Sequence, residues 1–313
     1  MKFQKIVKWI LLVGFVLLNI IAYNHAYKFT HFTATNGNKK IKPENLSFGQ
    51  KLKLIFTGVD NPKPVNNKLP RQSFEIIEIK SDVLLNGWLI EVDSSKGVVV
   101  LFHGYSGNKS GVVAYAEEFN KMGFSTSLMD FRGSGDSEGN ETTIGFKEAK
   151  DVEATFNFIK NRFPNNDLIL FGTSMGAVSI MKAVVDLDVQ PNQIILECPF
   201  GTMRKTVQQR FKAMNLPSFP FADMLMFYGG MQTGFNPYTH KPTEYAKNID
   251  IPTLLLYGKQ DARVTLEETE TIYKNLSGQK ELVILKNSGH ENYLNHDKKD
   301  WLSSIDKFIK KNS

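Results

Sequence analysis

The sequence predicts an α/β fold: a mainly parallel sheet with helices on both faces and a helical cap inserted late in the chain. Three observations predict it. From Phe74 onward, short apolar runs alternate with helix-length segments, the pattern of successive βαβ units. Several of these runs, such as "GVVVLFH", are continuously apolar, as strands buried on both faces of a parallel sheet are. And the stretch from about 200 to 247 separates two strands by more residues than an ordinary connection needs.

The elements follow in order. "FEIIEIK" and "LLNGWLIEV" read as two strands near a turn, and "GVVVLFH" as a buried strand followed by a helix at about 110 to 122. The strand "FSTSLMD" leads into a glycine-rich loop, "FRGSGDSEGN", and a helix from roughly 144 to 162, ended by Pro164. Next come the strand "DLILFG", a helix from about 175 and the strand "QIILEC". After the interruption the alternation resumes with "TLLLYG", a helix from about 265, "ELVILK" and a last helix near 298 to 310. Between Phe211 and Phe235 the interruption carries a dense series of aromatic, Leu and Met residues, Met214, Met224, Phe227 and Met231 among them. Such apolar content makes it a packed cap at about 200–247 rather than a loop.

Before this domain, assigned to 74–313, two segments stand apart. Residues 1–27 hold three lysines and then about 15 nearly uninterrupted apolar residues from Trp9 to Tyr23. That length lies between a signal-peptide core and a full membrane span. The small residues a signal cleavage site wants are poorly placed around Ala22 and Ala26, which favours a retained membrane anchor through residues 5–23 over a removed signal. A buried core helix is the third reading. Lysines ahead of the run keep the N-terminus cytoplasmic and send the body outward, although Lys28, Lys39, Lys40 and Lys42 weaken that bias. The domain is then extracytoplasmic, and secreted if the N-terminus is cleaved. Residues 28–73 form a polar connector with one candidate amphipathic helix, "PENLSFGQKLKLIF".

Composition excludes several classes. The formal charge of +6, from 38 basic and 32 acidic residues, comes without a dense basic stripe, so no nucleic-acid partner is expected. One cysteine, Cys198, excludes an internal disulfide and a Cys-rich zinc site. His and acid residues show no ligand spacing such as HExxH, so no metal or organic cofactor is expected. Oligomeric state is left open.

The chemistry centres on "GTSMG", a G-x-S-x-G motif between a buried strand and a helix. A strand turning sharply into a helix forces the central Ser174 into a strained conformation and brings the flanking backbones too close for side chains, so glycine stands at 172 and 176. The turn lifts the hydroxyl above the sheet, where the helix N-terminus offers N–H groups to a developing oxyanion. A serine needs a base oriented by an acid. "LLLYGKQDARV" places Asp261 just past one strand end and "LVILKNSGHEN" places His290 just past the next, both at the sheet edge where ligands collect. Asp223, in the cap, and Asp250, before a strand, are not so placed, and His240 and His296 read as surface histidines. The loop "HGYSGNKSG" is expected to supply the second oxyanion donor. There Gly104 allows close backbone approach, Tyr105 gives its N–H alongside that of Met175, and His103 shapes the turn. Asp130 and Arg132 read as an ion pair or loop brace, with Ser134 and Ser137 as turn residues.

From about residue 74 to the end, the chain resembles the α/β-hydrolase superfamily, specifically its bacterial serine aminopeptidase-like and monoacylglycerol-lipase-like branch. The residues that carry the likeness are "HGYSGN", "DFRGSGDSEG", "GTSMG", "GKQDARV" and "SGHEN". The resemblance implies an α/β-hydrolase fold, a Ser174–His290–Asp261 triad and oxyanion donors at Tyr105 and Met175. It also implies hydrolysis of a carboxylic ester. An apolar cap beside a membrane anchor points to a hydrophobic or lipid-like acyl group, with Met224, Phe227 and Met231 as acyl-lining candidates. Peptidase, amidase and acyltransferase chemistry use the same triad, and a binding protein on a hydrolase fold is the non-enzymatic reading.

Overall fold

The computed structural model describes residues 2–34, 47, 49, 56–213 and 215–312. Most of the expected amphipathic helix at 43–56, and Met214 of the cap, lie outside the described residues.

The chain opens with α1 (Lys2–Thr30) and then builds an eight-stranded sheet. Its elements are β1 (Glu75–Lys80), β2 (Leu84–Ile90), β3 (Val98–Phe102), α2 (Val113–Lys121), β4 (Ser125–Met129), α3 (Glu148–Arg162), β5 (Leu168–Thr173), α4 (Met175–Asp186) and β6 (Gln193–Glu197). The interruption holds α5 (Met203–Ala213), α6 (Phe221–Thr233) and the short α7 (Pro242–Tyr245). After it come β7 (Thr253–Gly258), α8 (Leu266–Asn275), β8 (Lys280–Leu285) and α9 (Lys298–Asn312). The sheet order is β1-β2-β4-β3-β5-β6-β7-β8. β1 and β2 are antiparallel, β2 meets β4 antiparallel, and every pairing from β4 to β8 is parallel.

The continuous apolar runs are the central strands, and their side chains divide by alternation between two cores. Val98, Val100 and Phe102 of β3 face one core with Leu168 and Leu170 of β5, against α3 and α4. Val99 and Leu101 face the other with Ile169 and Phe171, against α2 and α9. A two-residue period with both faces covered leaves no polar position, which is why these strands carry no alternation in sequence. The helix expected from 144 begins at Glu148. Ile144 and Gly145 have positive φ, and the Glu148 carboxylate takes the N–H groups of Thr143 and Gly145, so this turn is capped rather than helical.

α1 is a 29-residue helix of mean hydropathy 2.2 in its most apolar stretch, long and apolar enough to cross a membrane. Its C-terminal part rests on the cap. The Tyr228 hydroxyl donates to Asn19 at 2.6 Å, Gln232 donates to the Tyr23 carbonyl, and the Tyr23 and Tyr228 rings meet edge to face. This contact sets the orientation of α6. One stripe (Ala222, Met226, Gly229, Gly230, Thr233) is buried, and Tyr228 and Gln232 meet α1. Phe227 and Met231 are left 56% and 57% exposed. These two were expected to line an acyl pocket and instead face outward, while Met224 is half-buried.

Candidate active site

Ser174 sits at the junction of β5 and α4 with φ 50° and ψ −108°, the strained conformation that a strand-to-helix turn imposes. The flanking glycines are required by space. A Cβ on Gly172 would lie 2.5 Å from the Gly176 carbonyl carbon, and one on Gly176 would lie 2.5 Å from the Phe102 carbonyl oxygen. Both would press on backbone that has no room to move. Gly104 is different, because a Cβ there would meet Thr173 O at 3.4 Å, an ordinary contact. Close approach therefore does not by itself demand glycine at 104. The Ser174 N–H donates to Glu197 O at 2.8 Å, tying the turn to the end of β6.

The neighbouring strand ends bring the other two residues in. His290 Nε2 lies 3.0 Å from Ser174 Oγ, and His290 Nδ1 lies 2.7 Å from Asp261 Oδ2. The other Asp261 oxygen accepts the N–H groups of Arg263 at 2.7 Å and Val264 at 2.9 Å, so the carboxylate is fixed on its own loop. Its side chain is fully buried, and the His290 side chain is 15% exposed. Burial disfavours a charged imidazole, but the neighbouring Cys198 and Asp261 outweigh it and lift His290 above its ordinary value. Cys198 Sγ, an Asp261 oxygen and a His290 ring nitrogen fall within 4.8 Å of one another, which makes them the residues able to hold a metal ion here. Two of the three are already hydrogen-bonded to each other.

Met175 follows Ser174 in the chain, and Tyr105 follows Gly104, where a Cβ would lie 3.6 Å from Ser174 Cβ. Met175 is the first residue of α4, where helix geometry leaves the N–H without an intrahelical acceptor. Tyr105 follows Gly104 in the β3 loop, and its hydroxyl donates to Phe29 O at 2.8 Å while accepting from Asn61 Nδ2 at 2.8 Å. His103 shapes the turn. Its buried ring donates from Nδ1 to Gly104 O at 2.8 Å and accepts the Phe131 N–H at Nε2. Accepting that N–H requires a neutral ring, and burial pushes its pKa down accordingly.

Three expectations are corrected. Asp130 and Arg132 do not form the ion pair with each other, and each braces the loop through its own partner. Asp130 accepts from the buried Lys109 Nζ at 2.6 Å and from the N–H groups of Lys109 and Asp136. Arg132 instead grips Asp151 of α3 through its guanidinium, at 2.7 Å from Nη2, and through its own N–H. The loop leaves the sheet between the two residues and sends their side chains to different anchors. His240 is not a surface histidine but fully buried, between Tyr245 Oη at 2.9 Å and Ile144 O at 3.1 Å. Burial lowers its pKa to about 4, a neutral residue packed between α7 and the turn before α3. The third correction is the outward orientation of Phe227 and Met231. His296 is exposed and meets Glu291, and Asp223 pairs with Arg204, both away from Ser174.

One buried acid escaped sequence reasoning. Glu197, the last residue of β6, is wholly buried and accepts from Tyr115 Oη at 2.7 Å and Trp301 Nε1 at 2.6 Å. Burial pushes its carboxyl up to about 8. A glutamate closing an otherwise apolar strand run was the available signal.

The family model described as serine aminopeptidase, S33, matches residues 93–228, the stretch that carries β3, the loop after it, Ser174, α5 and part of α6. With this constellation on an eight-stranded sheet, the family is decided. The chain belongs to the α/β-hydrolase superfamily. It is a hydrolase of that superfamily. A second model, PhoPQ-activated pathogenicity-related protein, matches residues 236–313 of this α/β-hydrolase. Among curated proteins, it is 25% identical over 248 residues to the uncharacterized protein YqkD of Bacillus subtilis, covering 76% of this chain and 81% of that one. It is 27% identical over 198 residues to the lysophosphatidylserine lipase ABHD12 of Xenopus tropicalis, covering 59% of this chain and 48% of that one. The match thus spans about half the length of that relative. Among solved structures, the Pyrococcus furiosus esterase Pf2001 superposes with a TM-score of 0.66 at 24% identity, over 80% of this chain and 99% of that one, a likeness of fold.

Proposed function

We propose that the chain is a membrane-anchored serine hydrolase that cleaves a carboxylic ester with a hydrophobic or lipid-like acyl group. The observation that carries this reading is the unbroken relay from Ser174 Oγ to His290 at 3.0 Å and on to Asp261 at 2.7 Å. His290 takes the Ser174 proton as the hydroxyl attacks the ester carbon, and Asp261 holds the ring and stabilises its charged form. The N–H groups of Tyr105 and Met175 receive the tetrahedral oxyanion, each donor of this kind contributing ~3 kcal/mol. His290 then passes the proton to the departing alcohol, and water releases the acyl group by the same base.

The ester- and lipid-cleaving relatives support the substrate class, α1 supports an anchor at residues 1–27, and the lysines ahead of its apolar run support a domain at 74–313 outside the cytoplasm. The α5–α6 segment is assigned the role of cap. A second reading, peptide or amide hydrolysis, is favoured by the aminopeptidase description of the matching model.

The deciding experiment treats the full chain in neutral detergent with a fluorophosphonate probe, beside Ser174→Ala, and assays p-nitrophenyl esters from acetyl to palmitoyl against aminoacyl nitroanilides. Labelling that vanishes in the variant, with ester cleavage rising toward longer chains, is the expected outcome. A folded wild type that is never labelled overturns the hydrolase reading, and nitroanilide cleavage alone moves it to peptidase.

A further inference from the structure

The chain contains six arginines, and four of them have a carboxylate partner. Arg71 meets Glu117, Arg132 meets Asp151, Arg162 meets Glu75 and Glu91, and Arg204 meets Asp223. For Arg210 and Arg263, no carboxylate among the described residues comes within ion-pair distance. Arg210 packs on Tyr105, next to Gly104 of the loop beside Ser174, and Arg263 stands two residues after Asp261.

Arg210, on α5 of the cap, is half-buried and lies over the rings of Phe29 and Tyr105, at 4.2 and 4.6 Å from their centroids. The two rings stack on each other at 5.2 Å. Tyr105 belongs to the loop whose N–H is assigned to the oxyanion, so the guanidinium lies against a side chain of that loop. Arg263 is exposed, and its own N–H holds Asp261. Burial presses the Arg210 pKa down and the charge of Arg263 adds to it, while Tyr105 pulls the other way, so the cation has a phenol beside it and no carboxylate. Withdrawing an unpaired cation from water is costly. Ring stacking occupies the guanidinium's face, whereas its five N–H donors lie in the plane at the edges, the arrangement that grips a carboxylate or phosphate with two parallel bonds.

We propose that Arg210, seconded by Arg263, binds an anionic oxygen group of the substrate, a phosphate or a carboxylate, carried on the alcohol side close to the scissile ester. The inference rests on the ester-hydrolase reading and adds to it a charge requirement and the residue that imposes it.

The test uses the full chain in neutral detergent and three substrates with one acyl chain: a monoacylglycerol, its 3-phosphate, and the acyl ester of glycerate. kcat/KM is measured for wild type, Arg210→Gln and Arg210→Lys at 50 and 500 mM NaCl. Wild type is expected to favour an anionic ester over the neutral one by tenfold or more, less so at high salt. Arg210→Gln lowers that anionic-to-neutral ratio at least tenfold, and Arg210→Lys restores part of it. Preference for the phosphate or for the glycerate ester identifies the source of the charge. If all three substrates fall together in Arg210→Gln, Arg210 merely clamps Phe29 on Tyr105 and the proposal is overturned. A wild type that is labelled by fluorophosphonate yet prefers the neutral ester also overturns it, with the hydrolase reading intact. No labelling and no cleavage removes both.

Discussion

Asp261 and His290 are joined by a 2.7 Å contact in which each is fixed from its far side: Asp261 by two N–H groups of its own loop, His290 by its approach to Ser174 Oγ. The pair therefore has one tautomer to adopt, with Nδ1–H directed at the carboxylate and Nε2 left to accept from the serine.

That arrangement predicts the pH profile. Burial opposes charge on His290, Cys198 and Asp261 favour it, and the balance lies above the ordinary histidine value. The base works only when neutral, so kcat/KM falls as pH drops through the raised pKa. The midpoint of this acid limb is expected above about 6.5, the ordinary value. Activity at pH 6 is then several-fold below its plateau, and Asp261→Asn costs roughly 10³–10⁴-fold on that plateau. A pH–rate series on a soluble p-nitrophenyl ester between 6 and 10 measures it, and a midpoint at or below 6.5 contradicts the assignment.

Lys109 carries the second prediction. It is fully buried, and its Nζ contacts Asp130, Asp136 and Asn86 at 2.6–2.7 Å beneath the loop that presents Tyr105. Asp130 is equally buried. Lys109→Met leaves that carboxylate without its cation, a change expected to cost about 3–5 kcal/mol and to lower kcat as the oxyanion loop loosens. Urea unfolding reads the first effect and single-turnover acylation the second. A loss under about 1 kcal/mol would mean that the remaining N–H donors alone hold Asp130.

The legible parts of this protein are those whose cause is local or set by topology. Gly172, Ser174 and Gly176 were readable because the clash they avoid arises within five residues and one adjacent strand. Asp261 and His290 were readable because a parallel sheet delivers successive strand ends to one edge. What stayed hidden depends on distant chain. Asp130 and Arg132 lie two apart, yet their partners come from 21 residues upstream and 19 downstream. The face that α6 presents is set by α1, 209 residues away at Tyr228–Asn19. No periodicity within the cap encodes that contact, so Phe227 and Met231 read as interior and are not. His240 read as exposed for the same reason, since the residues that cover it belong to other elements.

Glu197 gives the last prediction. Its carboxyl is pushed up to about 8 by burial, opposed by the hydrogen bonds from Tyr115 and Trp301. In the unfolded chain it returns to the ordinary carboxylate range near 4.5. Between these values the folded protein holds a proton that the unfolded chain has released, so stability falls as pH rises from about 5 to 8. Each pH unit in that window costs up to about 1.4 kcal/mol. Glu197→Gln carries no titrating proton. It keeps one acceptor oxygen and loses the other, so it is expected to be less stable than wild type at pH 5, by about 1–3 kcal/mol. The gap should close and reverse by pH 8, because only the wild type pays for ionising, by about 3–4 kcal/mol over that range. Urea unfolding of both proteins at pH 5, 6.5 and 8 checks this. Parallel stability curves would show that the buried glutamate ionises as readily in the folded protein as in the unfolded chain, and that Tyr115 and Trp301 hold it as a carboxylate.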